Sequence, residues 1–199
     1  MIYLIITASI RNKFGTQDGR EERYMYAISE TLKILPNVTT IIVENNGKRK
    51  TCLDTFADRA HIYYTDNNKY EYNSKGVNEF IDIKDVIRAY GIKNDDIIIK
   101  LTGRYRLLSS RFFDFINTNS DDAFVKFYNV CSLQFEKYDC VLGCYAIKAK
   151  YIMLFNHLSI DNYKFAEIAF AKYIKYCGAK LKEIEHLDVE CFFPRILIV

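Results

Sequence analysis

Four short apolar runs, each emptying into small, polar or charged residues, constrain the fold of this chain more than any other feature. They are YLIIT (3–7), VTTIIV (38–43), HIYY (61–64) and IIIKL (97–101). A strand without apolar–polar alternation is covered on both faces, which is the signature of a parallel sheet between helices. The segments between the runs carry a helical period instead. Over 21–35, Tyr24, Ala27, Ile28, Thr31, Leu32 and Leu35 fall on one stripe, and Pro36-Asn37 ends it. A short helix is expected over 51–58. Over 77–90, Val77, Phe80, Ile81, Val86, Ile87 and Tyr90 share a face, with Gly91 placed just past the helix end. The order β-α-β-α-β-α-β predicts an α/β domain with a mixed, mostly parallel central sheet and helices on both faces.

The second half reads as a short helix over 112–116, strands over 124–128 and 141–147, and a strongly apolar helix over 163–177 stopped by Gly178. A last strand over 179–185 feeds the loop HLDVE. There are no repeats, low-complexity tracts or linkers, so 1–199 is read as one domain. Half the residues are hydrophobic and 27% are charged, enough to bury a core of that size. Lys and Arg number 28 against 25 Asp and Glu, a net charge of +3 that gives no footprint for nucleic acid. The 6 cysteines form no C-x-x-C pair, which argues against a structural zinc site. MIYLIITAS lacks a basic leader and reads as a strand, and no run approaches the ~18 apolar residues of a membrane span. The expectation is a reducing, cytoplasmic setting.

In sheets of this kind ligands bind beyond the carboxyl ends of the strands. The residues found there are Thr7, Ala8, Ser9 and Arg11 after the first strand and Glu44, Asn45 and Asn46 after the second. Asp66, Asn67 and Asn68 follow the third, and Thr102, Gly103, Arg104 and Tyr105 the fourth. One polar strand end is ordinary loop chemistry; four on one edge point to a polar ligand.

The segment NSKGVNEFIDIKDVI (73–87), the strand DDIIIKLTGRY (95–105) and HLDVE (186–190) follow one another in that order. Together they resemble small glycosyltransferases of the GT-A type, such as those of bacterial surface-polysaccharide clusters and large DNA viruses. The resemblance runs from the first strand to HLDVE. It implies a GT-A-like (Rossmann-like) fold with a nucleotide-binding half over 1–108 and an acceptor-side half over 109–199. It also implies a nucleotide-diphosphate-sugar donor, UDP- or GDP-linked, whose sugar passes to an acceptor hydroxyl on a glycan or glycoprotein. For a viral protein the setting would be the host cytoplasm. GT-A enzymes usually carry Asp-x-Asp after the fourth strand, where carboxylates hold Mn2+ or Mg2+. Here Thr102-Gly103-Arg104 stands in that place, and Asp95 and Asp96 precede the strand. Metal dependence is left open, with Asp188 and His186 as the ligands on offer.

Under that resemblance Arg104 suits the leaving diphosphate, since guanidinium donates two parallel hydrogen bonds and keeps its charge. Gly103 lets backbone approach the ligand, and Lys75 and Lys100 add positive charge. The bland alternative pairs Lys100 and Arg104 with Asp95, Asp96 or Asp114. Tyr105 either stacks on a sugar or packs in the core. Thr7, Ala8, Ser9, Arg11, Glu44, Asn67 and Thr102 complete the donor-binding set. The base that deprotonates the acceptor is assigned to Glu190, with Asp188 second. The competing reading is a non-catalytic nucleotide- or RNA-binding α/β domain.

Overall fold

The structure is a computed structural model, and it describes residues 1–11, 19–70, 72, 74–127, 139–162, 165–192 and 196–199. The first four strands are β1 (Ile2–Ala8), β2 (Thr39–Glu44), β3 (His61–Tyr64) and β4 (Ile97–Thr102). They alternate with α1 (Arg20–Ile34), a 3-10 turn at Cys52–Phe56, and α2 (Lys75–Ala89). Then come β5 (Arg106–Leu107), α3 (Arg111–Asn117), β6 (Ala123–Val125), β7 (Cys144–Lys148) and α4 (Ala149–Leu154). The chain continues through a 3-10 turn at His157–Asn162, α5 (Ala166–Tyr176), β8 (Leu181–Glu183), β9 (Val189–Phe192) and β10 (Ile196–Ile198).

Seven strands form the main sheet in the order β3-β2-β1-β4-β7-β6-β8. The pairs β3/β2, β2/β1, β1/β4 and β6/β8 are parallel, and β7 runs antiparallel to both β4 and β6. This is the mixed, mostly parallel sheet expected from the apolar runs. Its two faces carry separate cores. One packs α1, the 3-10 turn and α3 around Leu4, Ile6, Ile28, Phe56 and Phe112. The other packs α2, α4 and α5 around Ile5, Val43, Phe80, Ile152 and Phe170. Successive residues of β1 therefore enter opposite cores, and Leu4 to Ile6 are fully buried. The α1 stripe is as read from the sequence: Tyr24, Ala27, Ile28, Thr31 and Leu32 are buried. On α2 the buried side chains are Val77, Phe80, Ile83, Val86 and Ile87, while Ile81 and Tyr90 are only partly covered.

Several expectations shift in detail. The strand expected over 124–128 occupies Ala123–Val125, with an isolated bridge from Phe127 to Cys140; Tyr128 lies outside the described residues. The strand expected over 141–147 begins at Cys144. The apolar helix begins at Ala166, and Tyr163, the first residue of the expected span, lies outside the described residues. HLDVE is not wholly a loop. Its Val189-Glu190 belongs to β9, the centre of a second, three-stranded sheet ordered β10-β9-β5. No described helix is long and apolar enough to cross a membrane.

The topology puts one point of the sheet apart. From β1 the chain crosses to β2 on one side and, after β3, returns through α2 to β4 on the other. Strand ends therefore diverge between β1 and β4, where Thr7 is the register partner of Thr102. Such a switch point opens a crevice at the carboxyl edge of the sheet.

Candidate functional site

The crevice floor is a buried polar network organised by α2. Glu79, one turn into α2, receives a hydrogen bond from the Thr7 hydroxyl at 2.5 Å and one from the Thr102 hydroxyl at 3.3 Å. Lys100, whose side chain is 1% exposed, reaches the same carboxylate at 3.0 Å. Its ammonium also donates to Thr102 Oγ1 at 2.7 Å and to the Leu142 carbonyl at 2.9 Å. All three of its hydrogens thus have acceptors, as a buried charge requires. Burial pushes the Glu79 carboxyl up, but Lys100 and the two hydroxyls outweigh it and hold the group below the usual carboxylate range. Glu79 keeps about a quarter of its side chain exposed at the crevice (26%).

One turn further, Asp82 ties the neighbouring strand ends together. It accepts from Asn45 at 2.9 Å, Thr65 at 2.6 Å and Asn67 at 2.8 Å, so one helix residue fixes the loops after β2 and β3. Its burial pushes the carboxyl up to about 7, against the three hydrogen bonds that favour the anion; Glu79 adds to the rise. A folded-state value raised above 3.8 means the native state holds its proton more tightly than the unfolded chain. Stability from this group is therefore complete below about pH 4 and declines as pH rises towards 7. Chemical denaturation across that window should show a falling stability in the native protein and a flatter profile in Asp82→Asn. Equal slopes in the two would remove Asp82 as the source.

The sequence-derived residues divide by what the fold does with them. Glu44 is fully buried, and its carboxylate is taken by the Ile10 N–H (3.1 Å), by Asn46 and by Arg49 (2.9 Å). Asn67 is buried and committed to Asp82 and Asp85. Both shape the edge from behind. Ala8 is 2% exposed and Tyr105 9%, and the Tyr105 ring lies on Gly143 in the α1-side core. Gly103 is wedged against the Tyr24 ring, where a β-carbon would sit 2.8 Å from ring atoms and 3.0 Å from the Thr7 carbonyl. Lys75 opens α2, with its side chain outside the described residues; Asn73 lies outside them altogether.

Ser9, Arg11, Thr102 and Arg104 stand at the carboxyl ends of β1 and β4, with Asn46 and Asn68 from the loops after β2 and β3, and they are joined by Arg20, which the sequence reading did not single out. Asn46 and Asn68 form an amide rim: Asn68 donates to Asn46 at 2.8 Å and Asn46 to Ser9 Oγ at 3.4 Å. Arg20, at the start of α1, donates through Nε to the Ser9 carbonyl at 2.6 Å and through Nη2 to the Tyr24 hydroxyl at 3.1 Å. Arg104 Nε is shut off from solvent and meets no hydrogen-bond partner among the described residues. The bland pairings do not form: Asp95 pairs with Lys150, Asp96 accepts from the Lys93 N–H, and Asp114 accepts from Ser110.

The HLDVE residues stand on the small sheet instead. Glu190 forms a two-pronged ion pair with Arg106, at 3.0 and 2.9 Å. Asp188, at φ 50°, accepts from Ser109 at 2.6 Å and lies 3.6 Å from Arg111. Asp188 and His186 line an open cavity between α3 and β8 with Arg111, Phe112, Phe115 and Lys182. No hydrogen bond or ion pair among the described residues joins them to the crevice. A metal requires more: among the described residues no group of three or more His, Cys, Asp and Glu is placed to hold one. At the Asp-x-Asp position the side chains offered are a hydroxyl, none and a cation, which do not fit a divalent ion.

A further carboxylate stands on the α2 side of the switch point. Glu167, in the first turn of α5, has its carboxyl pushed up by burial and then by Asp139 and Glu79, with Lys100 pulling it back down. The contact that brings α5 there is Gly76 of α2 against Ala166, too close to admit a β-carbon.

No protein-family profile matches the sequence, and no curated protein matches it. Solved structures do resemble it in fold. A Desulfovibrio desulfuricans protein assigned as a nucleotide-diphospho-sugar transferase superimposes with a TM-score of 0.58 at 8% identity, over 92% of this chain and 79% of its own. The galactosyltransferase LgtC, solved with donor and acceptor sugar analogues, gives 0.55 at 8% identity over 91% and 72%. A 4-diphosphocytidyl-2C-methyl-D-erythritol synthase gives 0.52 at 9% over 92% and 88%. The fold is that of the GT-A nucleotide-sugar transferases.

Proposed function

We propose that this protein transfers a sugar from a nucleotide-diphosphate sugar to an acceptor hydroxyl. The observation that carries the reading is the crevice between β1 and β4. It joins hydroxyls (Ser9, Thr102), amides (Asn46, Asn68), a carboxylate held below its usual pKa (Glu79) and guanidinium (Arg104) at the switch point of a fold shared with sugar-nucleotide enzymes. Amides and hydroxyls suit a nucleoside, an ionised carboxylate suits sugar or ribose hydroxyls, and guanidinium suits the diphosphate.

The base has two claimants. Glu190, chosen from the sequence, is oriented by Arg106. Glu167 has its pKa raised, chiefly by burial, and stands within electrostatic reach of Glu79 and Lys100. The UDP- or GDP-linked donor, the glycan acceptor and a cytoplasmic setting belong to the same reading.

The test is thermal shift against a panel of nucleotide sugars, nucleoside triphosphates and oligonucleotides, followed by transfer assays. A shift with one nucleotide sugar, with transfer lost about 100-fold or more in either Glu167→Gln or Glu190→Gln while the shift persists, supports the reading and names the base. A shift with a triphosphate alone would favour nucleotidyl transfer. A shift with oligonucleotides alone, steeply salt-dependent, would favour a nucleic-acid-binding domain.

A further inference from the structure

We infer that Arg104 and Arg20 form a metal-independent diphosphate clamp in the place where Asp-x-Asp enzymes hold a cation. The inference rests on the donor reading above but on separate observations. The two guanidiniums belong to elements brought together by Gly103, which lets the loop after β4 lie against the Tyr24 ring. Tyr24 in turn receives a hydrogen bond from Arg20, whose guanidinium carbon stands 5.4 Å from the ring centre. Tyr24 thus links the two elements that carry the guanidiniums. Burial, offset in part by Tyr24, and then the neighbouring Arg104 and Arg23 depress the Arg20 pKa.

Like charges within electrostatic reach of each other repel, and in a protein with 25 acidic residues a carboxylate could have been placed between them. Neither has one among the described residues. The Arg104 Nε–H has no acceptor, and Arg20 uses only Nε and Nη2 on the described residues. The guanidinium donors not used by the protein suit a bound anion. A diphosphate spans two guanidiniums, each donating paired hydrogen bonds to oxygens of one phosphate. During transfer the acceptor oxygen bonds to the anomeric carbon as its proton passes to the base, and the bond from that carbon to the diphosphate oxygen breaks with its electron pair staying on that oxygen. Two guanidiniums placed at that oxygen would receive the developing charge without a cation.

The test uses the whole protein with inorganic pyrophosphate and UDP as probes, each titrated calorimetrically in EDTA and again in Mn2+. The expected result is binding of both in EDTA, weakened about tenfold or more by Arg104→Met and by Arg20→Met, with Mn2+ changing neither by more than about twofold. The Tm of unliganded Arg104→Met should equal or exceed that of the native protein, because a buried N–H without an acceptor has been removed, whereas Arg20→Met also loses its bonds to Ser9 and Tyr24 and should lower Tm slightly. Binding that appears only with Mn2+ would overturn the clamp and leave the donor reading standing. Binding of pyrophosphate in EDTA, lost in both variants, with no response to UDP or any nucleotide sugar, would keep the clamp and remove the donor reading. Native affinity in both variants, with their folds intact by circular dichroism, would overturn the clamp outright.

Discussion

Lys100→Met should destabilise the protein by about 3 kcal/mol, lowering Tm by roughly 6–12 °C for a chain of this size. The reason is what the ammonium leaves behind. Glu79 would keep its charge in the crevice floor with only two hydroxyls for company, and the Leu142 carbonyl would lose its donor. Removing one partner of a buried ion pair costs more than the pair contributes, because the other charge stays desolvated. The same logic gives a pH signature. With Lys100 gone, the Glu79 pKa would rise above its unfolded value, so the variant's deficit should shrink as pH falls below about 5. Lys100→Met/Glu79→Gln should recover most of the loss, since both charges leave together. Denaturant titration of the four proteins of the cycle measures this; a double variant no more stable than Lys100→Met would show that the two residues act separately.

The second large effect is at Gly143. A β-carbon there would fall 2.0 Å from Cε2 and 2.7 Å from Cδ2 of Tyr105, a ring that is 9% exposed. The backbone has little room to retreat, because the Gly143 carbonyl accepts from the Thr102 N–H at 2.8 Å. Gly143→Ala should therefore cost about 3 kcal/mol, the upper end for overpacking, and should loosen the Thr102-Gly103-Arg104 turn as Tyr105 is displaced. Pyrophosphate affinity should fall with stability. In a Tyr105→Ala background the three atoms nearest that β-carbon are gone, and the added cost of Gly143→Ala should drop to a few tenths of a kcal/mol. An undiminished cost in that background would point to the backbone rather than the ring.

Both effects concern residues whose place in the fold was readable and whose partners were not. The apolar runs announced β1 to β4, and the α1 stripe matched the buried set residue for residue, because burial on one or two faces imposes a period that a sequence must display. From the strand order came the edge on which to look for a ligand. The same reading placed Lys100 with the donor, since its position after three isoleucines says only that it is on a strand. That it turns into the floor to meet Glu79 depends on α2 packing across β1 and β2, which brings Glu79 within 3.0 Å of it. Glu79 and Asp82 did leave a trace: two carboxylates three apart, beside Val77, Phe80 and Ile83, sit too near an apolar stripe to be ordinary solvated charges. Arg20 left none, being one cation in a polar stretch. The pairing of Glu190 with Arg106 joins residues 84 positions apart through a short ladder between β5 and β9, strands too brief to register as a period.

By itself, then, the sequence determined the α/β class, the mostly parallel sheet and the polar edge, because hydrophobic period and strand-end chemistry are local properties of the chain. Only the tertiary structure decided which charges at that edge are consumed by the protein and which keep a donor without a partner among the described residues. Neutralisation of a buried charge depends on what another element brings within about 3 Å of it. Lys100 and Glu44 proved to be satisfied internally, whereas Arg104, beside Arg20, did not.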